Sequence, residues 1–98
     1  MRLEELLKGV PLAGGTWNRD VEITGISYDT RTMTPGNLFA ALPGYRADGQ
    51  DFIPQALERG AAAILCRRAP DYPGPWLVSE DPRAALALLS ANWFGHPA

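Results

Sequence analysis

The run from Ile26 to Leu65, ISYDTRTMTPGNLFAALPGYRADGQDFIPQALERGAAAIL, constrains the fold more than any other part of the chain. Short apolar stretches alternate there with two polar loops, YDTR and PGYRADG, and a helical segment closed by Gly60 follows. Pro35-Gly36 and Pro43-Gly44 are strong turn signals on either side of Asn37–Leu42, an apolar run that suits a buried strand. Ala61–Cys66 reads as a second buried strand. Such an arrangement presents side-chain donors and backbone amides to a polar, anionic ligand, with no evident reaction centre beside them.

The flanks extend the pattern. Leu3, Leu6, Leu7 and Val10 recur at helical spacing, and Pro11 with Gly14-Gly15 is expected to end that helix in a turn. Val21, Ile23 and Ile26–Tyr28 suggest an extended segment with a bulge at Gly25. The second helix is expected to start near Asp48 or Asp51 as its cap, and Pro54, tolerated only in the first turn, favours Asp51. Its core residues would be Phe52, Ile53, Ala56 and Leu57, with Gly60 just past its end. Arg67–Pro75 is a proline-rich loop, and Trp76–Val78 a short strand. Asp81-Pro82 opens a third helix with cap and N1 proline in place. Ala85, Leu88, Leu89, Asn92 and Trp93 share one of its faces, and Trp93 and Phe94 read as core. The order strand, helix, strand, strand, helix implies an α/β fold: one small domain with a mixed, mostly parallel sheet flanked by helices.

Composition narrows the functional classes. With 46% hydrophobic and 20% charged residues, the 98-residue chain has the make-up of an ordinary soluble domain. Its formal charge of -2, with only Arg67 and Arg68 adjacent among the basic residues, argues against nucleic acid or an anionic membrane as partner. No apolar run approaches the ~20 residues of a membrane span. Cys66 is the single cysteine, which fits a reducing cytoplasm. Lys8, the single lysine, precedes Gly9-Val10, so the chain has no G-x-x-x-x-G-K-[ST] phosphate loop. With His96 its one histidine, a zinc cluster or a Ser-His-Asp triad is not expected. No catalytic or metal-binding residues are assigned.

The motifs resemble the amino-terminal domain of the Mur ligases, which build the peptide stem of bacterial peptidoglycan. Their pattern, D-S-R, then P-G-D-L-F-x-A-x-x-G, then D-G-x-x-F-I and a helix end A-x-x-x-G-A, is similar to Asp29-Thr30-Arg31, Pro35-Gly36-Asn37-Leu38-Phe39, Gly44, Asp48-Gly49, Phe52-Ile53 and Gly60-Ala61 here. The opening MRLEELL, the link GYRADG and the tail from Trp76 look most like the type that adds the third stem residue (MurE). The D-alanyl-D-alanine-adding type (MurF) is the alternative, and a free-standing nucleotide-sugar binding module a third reading.

The resemblance implies that residues 1–98 are the UDP-substrate-binding domain of a longer, cytoplasmic, three-domain bacterial enzyme, inactive alone. It also implies ATP and Mg2+ as cofactors bound outside this stretch. The implied partners are UDP-MurNAc-L-Ala-D-Glu and the central and carboxy-terminal domains of the same enzyme. The substrate contacts it carries over are Tyr28, Thr30, Tyr45, Arg46 and Ala47. Two departures stand out: Thr30 replaces the usual serine, and Tyr45-Arg46 stands where many members have His-Gln. The residue chemistry agrees with an anionic ligand. Thr30 carries a hydroxyl, Arg46 a fork suited to phosphate oxygens, Gly44 lets backbone amides approach, and Tyr28 and Tyr45 offer aromatic faces. Asp29 and Arg31 read instead as a pair that pins a turn, Asp48-Gly49 as a helix entry, and Cys66 as a small core residue.

Overall fold

The two apolar runs become the centre of the sheet. In the computed structural model, which describes residues 1–44 and 48–95, they form β3 (Asn37–Ala40) and β4 (Ala63–Cys66), buried at every position. The strands pair in parallel, with Leu38 opposite Ala63, Phe39 opposite Ile64 and Ala40 opposite Leu65. Alternation along each strand sends its side chains to two separate cores. Leu38, Ala40, Ala63 and Leu65 pack with Leu3, Leu6, Ala85 and Leu89 on one face. Phe39, Ala41, Ile64 and Cys66 pack with Ile53 and Ala56 on the other. Burial on both faces is why these strands read as continuous apolar runs.

β2 (Gly25–Ser27) adds in parallel to β3, and β5 (Trp76–Val78) in parallel to β4. β1 (Gly14–Thr16) closes the other edge, antiparallel to β5, and the order is β1-β5-β4-β3-β2. The sheet is therefore mixed and mostly parallel. α1 (Leu3–Leu6) and α3 (Pro82–Phe94) cover one face, and α2 (Ile53–Glu58) covers the other. Asn92 ties α3 to α1: its Nδ2 donates to the carbonyls of Leu6 and Lys8, both at 2.8 Å, near the helix end where carbonyls lack internal partners. Among the described residues, no helix is long and apolar enough to cross a membrane.

Most local signals hold. Asp81 caps α3, its Oδ1 accepting from the Ala84 N–H at 3.1 Å, with Pro82 in the first turn. Gly60 follows α2 at φ +90°, and Cys66 is fully buried, its thiol pushed up to about 11 by desolvation. Four expectations are corrected. Gly14-Gly15 is no turn but most of β1; Gly15, at φ +130°, lies so close to β5 that a Cβ there would meet the Trp76 carbonyl oxygen. Asp48 rather than Asp51 makes the helix entry: its side chain accepts from the Gln50 N–H and caps a 3-10 helix, Gly49–Phe52, that leads into α2. Val21 and Ile23 lie outside the strands, joined to the chain start through Leu3 N–H to Val21 O and Ile23 N–H to Met1 O, while Gly25 opens β2. Finally, Phe52 and Phe94 are exposed rather than core, because the sheet faces are already filled by their helix neighbours.

Candidate functional site

Parallel strands end on the same edge of a sheet, so the loops after β2, β3 and β4 gather there. This is the usual binding edge of open α/β sheets. The YDTR loop leaves β2. Ser27 Oγ donates to the Asp29 carbonyl at 2.9 Å and accepts from the Asp29 N–H. Asp29 Oδ1 accepts from the Arg31 N–H at 2.9 Å, and the Arg31 guanidinium grips the same carboxylate, Nη2 to Oδ2 at 2.8 Å. These bonds from Arg31 hold the Asp29 carboxyl down at about 2, against an ordinary 3.8, and raise the Arg31 guanidinium. Asp29 and Arg31 bond each other and so shape the turn.

A carboxyl with its folded-state value depressed adds stability above its unfolded value, and that contribution disappears as pH falls through the folded one. The turn is therefore expected to stay closed through pH 3.8 and open only as pH approaches about 2. The Arg31 amide resonance, followed by NMR during acid titration, should move with that midpoint. Movement centred near 4 would show that the pair does not form in solution.

The turn leaves the two neighbours of Asp29 in different settings. Tyr28 is 70% exposed, and Thr30 is 5% exposed. Thr30 lies in the turn rather than in a strand, and its Oγ1 donates to Gln55 Oε1 of α2 at 3.1 Å. Between them the hydroxyl and the amide offer both donor and acceptor atoms. The Thr30–Gln55 pair is the polar unit of the turn. Gln55 is absent from the sequence-based assignment, because nothing in a helical glutamine signals a partner 25 residues away. Residues 28–31 of the YDTR turn, with Phe39, Phe52 and Gln55, border an open hollow of about 510 Å³, within the size range of small-molecule sites. Phe52, 40% exposed, and Tyr28 supply aromatic surface beside the polar pair.

The second loop leaves β3. Tyr45, Arg46 and Ala47 lie outside the described residues. The Gly49 N–H donates to the Leu42 carbonyl at 2.8 Å, and Arg83 Nη2 donates to the Pro43 carbonyl at 2.5 Å. Gln50 Nε2 donates to the Arg68 carbonyl at 2.6 Å, joining the 3-10 helix to the end of β4. A second hollow, of about 370 Å³, opens between this loop base and Arg67 and Arg68.

A family model described as "Mur ligase family, catalytic domain" matches residues 22–93. The chain belongs to the Mur ligase family. It is 43% identical over 99 residues to the UDP-N-acetylmuramoyl-L-alanyl-D-glutamate--2,6-diaminopimelate ligase of Syntrophomonas wolfei, with 99% of this chain and 20% of that protein covered. It is 45% identical over 101 residues to the UDP-N-acetylmuramyl-tripeptide synthetase of a Roseiflexus species, again covering 99% of this chain and 20% of the relative. Among solved structures it is similar to MurF from Acinetobacter baumannii, with a TM-score of 0.75 and 30% identity over 93% of this chain and 20% of that one. MurF from Thermotoga maritima, in complex with ADP, gives a TM-score of 0.65 at 29% identity over 76% of this chain and 17% of that one. The chain thus spans about a fifth of the length of the curated Mur ligases it matches. Its α/β architecture is that of the amino-terminal domain of MurE and MurF ligases.

Proposed function

We propose that this chain is the module that holds the UDP end of a UDP-muramoyl-peptide for an ATP-dependent Mur ligase. The observation that carries the reading is the hollow at the carboxyl edge of the sheet. There the YDTR turn exposes Tyr28 and joins Thr30 to Gln55, at the positions where the family motif places substrate contacts. Tyr28 supplies a face for a base or sugar, the Thr30–Gln55 pair supplies an acceptor and donors, and Tyr45, Arg46 and Ala47 complete the contacts from the second loop. Binding this remote part of the substrate orients the reacting carboxyl for chemistry performed elsewhere in the enzyme.

The residues of this chain do not fit ATP or Mg2+. Its single lysine lies in no phosphate loop, and among the described residues no group of three His, Cys, Asp or Glu side chains could hold a metal ion. Both are proposed to bind outside residues 1–98, and no step is routed through them here.

Two members of the family suit the module. The third-residue-adding type is supported by the names of the relatives, at 40–49% identity. The D-alanyl-D-alanine-adding type is supported by the structural likeness to MurF at 30% identity. The amino acid or dipeptide that the whole ligase joins to its substrate decides between them.

Calorimetric titration with the UDP-muramoyl-peptide tests the binding role. Thr30→Ala and Arg46→Ala should each weaken binding about tenfold, the scale of a lost hydrogen bond to a charged or desolvated group. Thr30→Ser, which keeps the hydroxyl, should bind like the parent. Unchanged affinity in both alanine variants would remove the assignment.

A further inference from the structure

We infer that the groove between the free edge of β2 and the last turns of α3 is the face on which the following part of the same ligase docks, which rests on the chain being one module of a longer Mur ligase. β2 ends the strand order, so its outer side has no neighbouring strand among the described residues. Gly25, Ile26, Tyr28, Leu86, Trp93 and Phe94 border a groove of about 400 Å³ there. Ile26, Leu86 and Trp93 are half-buried, while Tyr28 and Phe94 stand exposed.

The lining suits a protein surface. The hollow at Thr30 includes Asp29 and Arg31, and a hollow at the start of α3 includes Glu80 and Asp81, whereas this groove has no charged side chain. Covering it would strip water from no ion. Aromatic-rich, charge-poor lining is the make-up of interface cores. The edge itself is undefended, since Gly25-Ile26-Ser27 carries neither the lysine nor the proline that commonly guards an open strand.

Length and connectivity name the occupant. The chain spans about a fifth of the curated ligases it matches, and its fold is that of the amino-terminal domain. From an amino-terminal module the remaining polypeptide departs at the end of α3, where Trp93 and Phe94 form the lip of the groove. A tethered domain needs only a small contact, because the linkage keeps its effective concentration high. A separate partner or a second copy needs roughly 20–30 residues a side, far more than this groove supplies. Tyr28 borders both the groove and the substrate hollow. A domain seated here therefore stands beside the bound substrate, where chemistry performed outside this module must reach.

The test is hydroxyl-radical footprinting of the whole ligase and of the 98-residue chain, both without substrate. Tyr28, Trp93 and Phe94 should be several-fold less reactive in the whole ligase. Trp17 and Tyr72, exposed outside the groove, should react alike in both. Phe94→Asp in the whole ligase should return Trp93 to the reactivity it has in the 98-residue chain, and Phe94→Leu should keep it protected. Neither change should shift thermal unfolding of the 98-residue chain, because the ring is 82% exposed there. Equal reactivity of the three aromatics in both forms would overturn the docking face. So would a coding sequence that stops at residue 98, or protection that appears in the 98-residue chain as its concentration rises, which would make a second copy the occupant. Substrate is absent throughout, so failure of UDP-muramoyl-peptide binding in the calorimetric titration would remove the substrate role and leave the docking face standing.

Discussion

Gly49→Ala should lower the unfolding free energy of the domain by about 2–4 kcal/mol, by overpacking and by weakening one backbone bond. A Cβ at Gly49 would lie 2.5 Å from the Leu42 amide nitrogen and 2.6 Å from its carbonyl oxygen. Both are backbone atoms, so no side chain can swing aside to relieve the overlap. The same approach lets the Gly49 N–H bond the Leu42 carbonyl, and separation would stretch that bond too. A domain of this size has a total stability of roughly 5–15 kcal/mol, so the loss is large. Gly14→Ala is the control, because a Cβ there meets nothing within 4 Å. Urea unfolding of both variants decides the matter. Midpoints that move equally would mean the close approach of Gly49 to Leu42 is absent in solution. The consequence reaches the site, since this contact closes the base of the second loop.

Trp76→Ala should cost about 3–5 kcal/mol, the usual range for truncating a buried tryptophan. Trp76 is 3% exposed, lies in β5 and packs with Met33, Phe39 and Ile64. It also fastens the loop between β4 and β5. Its Nε1 donates to the Tyr72 carbonyl at 3.0 Å, the Tyr72 ring meets it edge-on at 5.5 Å, and a Cβ on Gly74 would strike its indole ring. That loop joins two parallel strands without a helix, so its position depends on such side-chain anchors. Trp76→Phe keeps a ring but orphans the Tyr72 carbonyl, and its cost should fall near 1 kcal/mol. Thermal unfolding of the pair should show the alanine variant well below the phenylalanine one. Near-identical transitions would place the stabilising contacts elsewhere.

The strongest local signals in the chain translated directly into structure. Asp81-Pro82 starts α3 because cap and fixed φ act within one turn, and Gly60 ends α2 because a positive φ is cheap only for glycine. The apolar runs at Asn37–Leu42 and Ala61–Cys66 contain β3 and β4, since burial on both faces leaves no room for polar side chains. The Asp29–Arg31 turn was equally legible, being a contact across two residues.

Contacts between distant segments escaped. No propensity marks Gly14-Gly15 as a strand; it becomes one because β5 offers an edge that only a residue without a Cβ can approach so closely. Phe94 satisfies every apolar rule and is still 82% exposed, because occupancy of the core depends on what the sheet has already covered. The same holds at the site. Thr30 is legible in a motif, while its partner Gln55 reaches it only because α2 packs on the sheet beside the turn. Sequence by itself determined the elements and the turn chemistry of this protein, because those energies act over a few bonds. The tertiary structure decided which side chains meet, because packing and parallel pairing bring together residues that the chain keeps far apart.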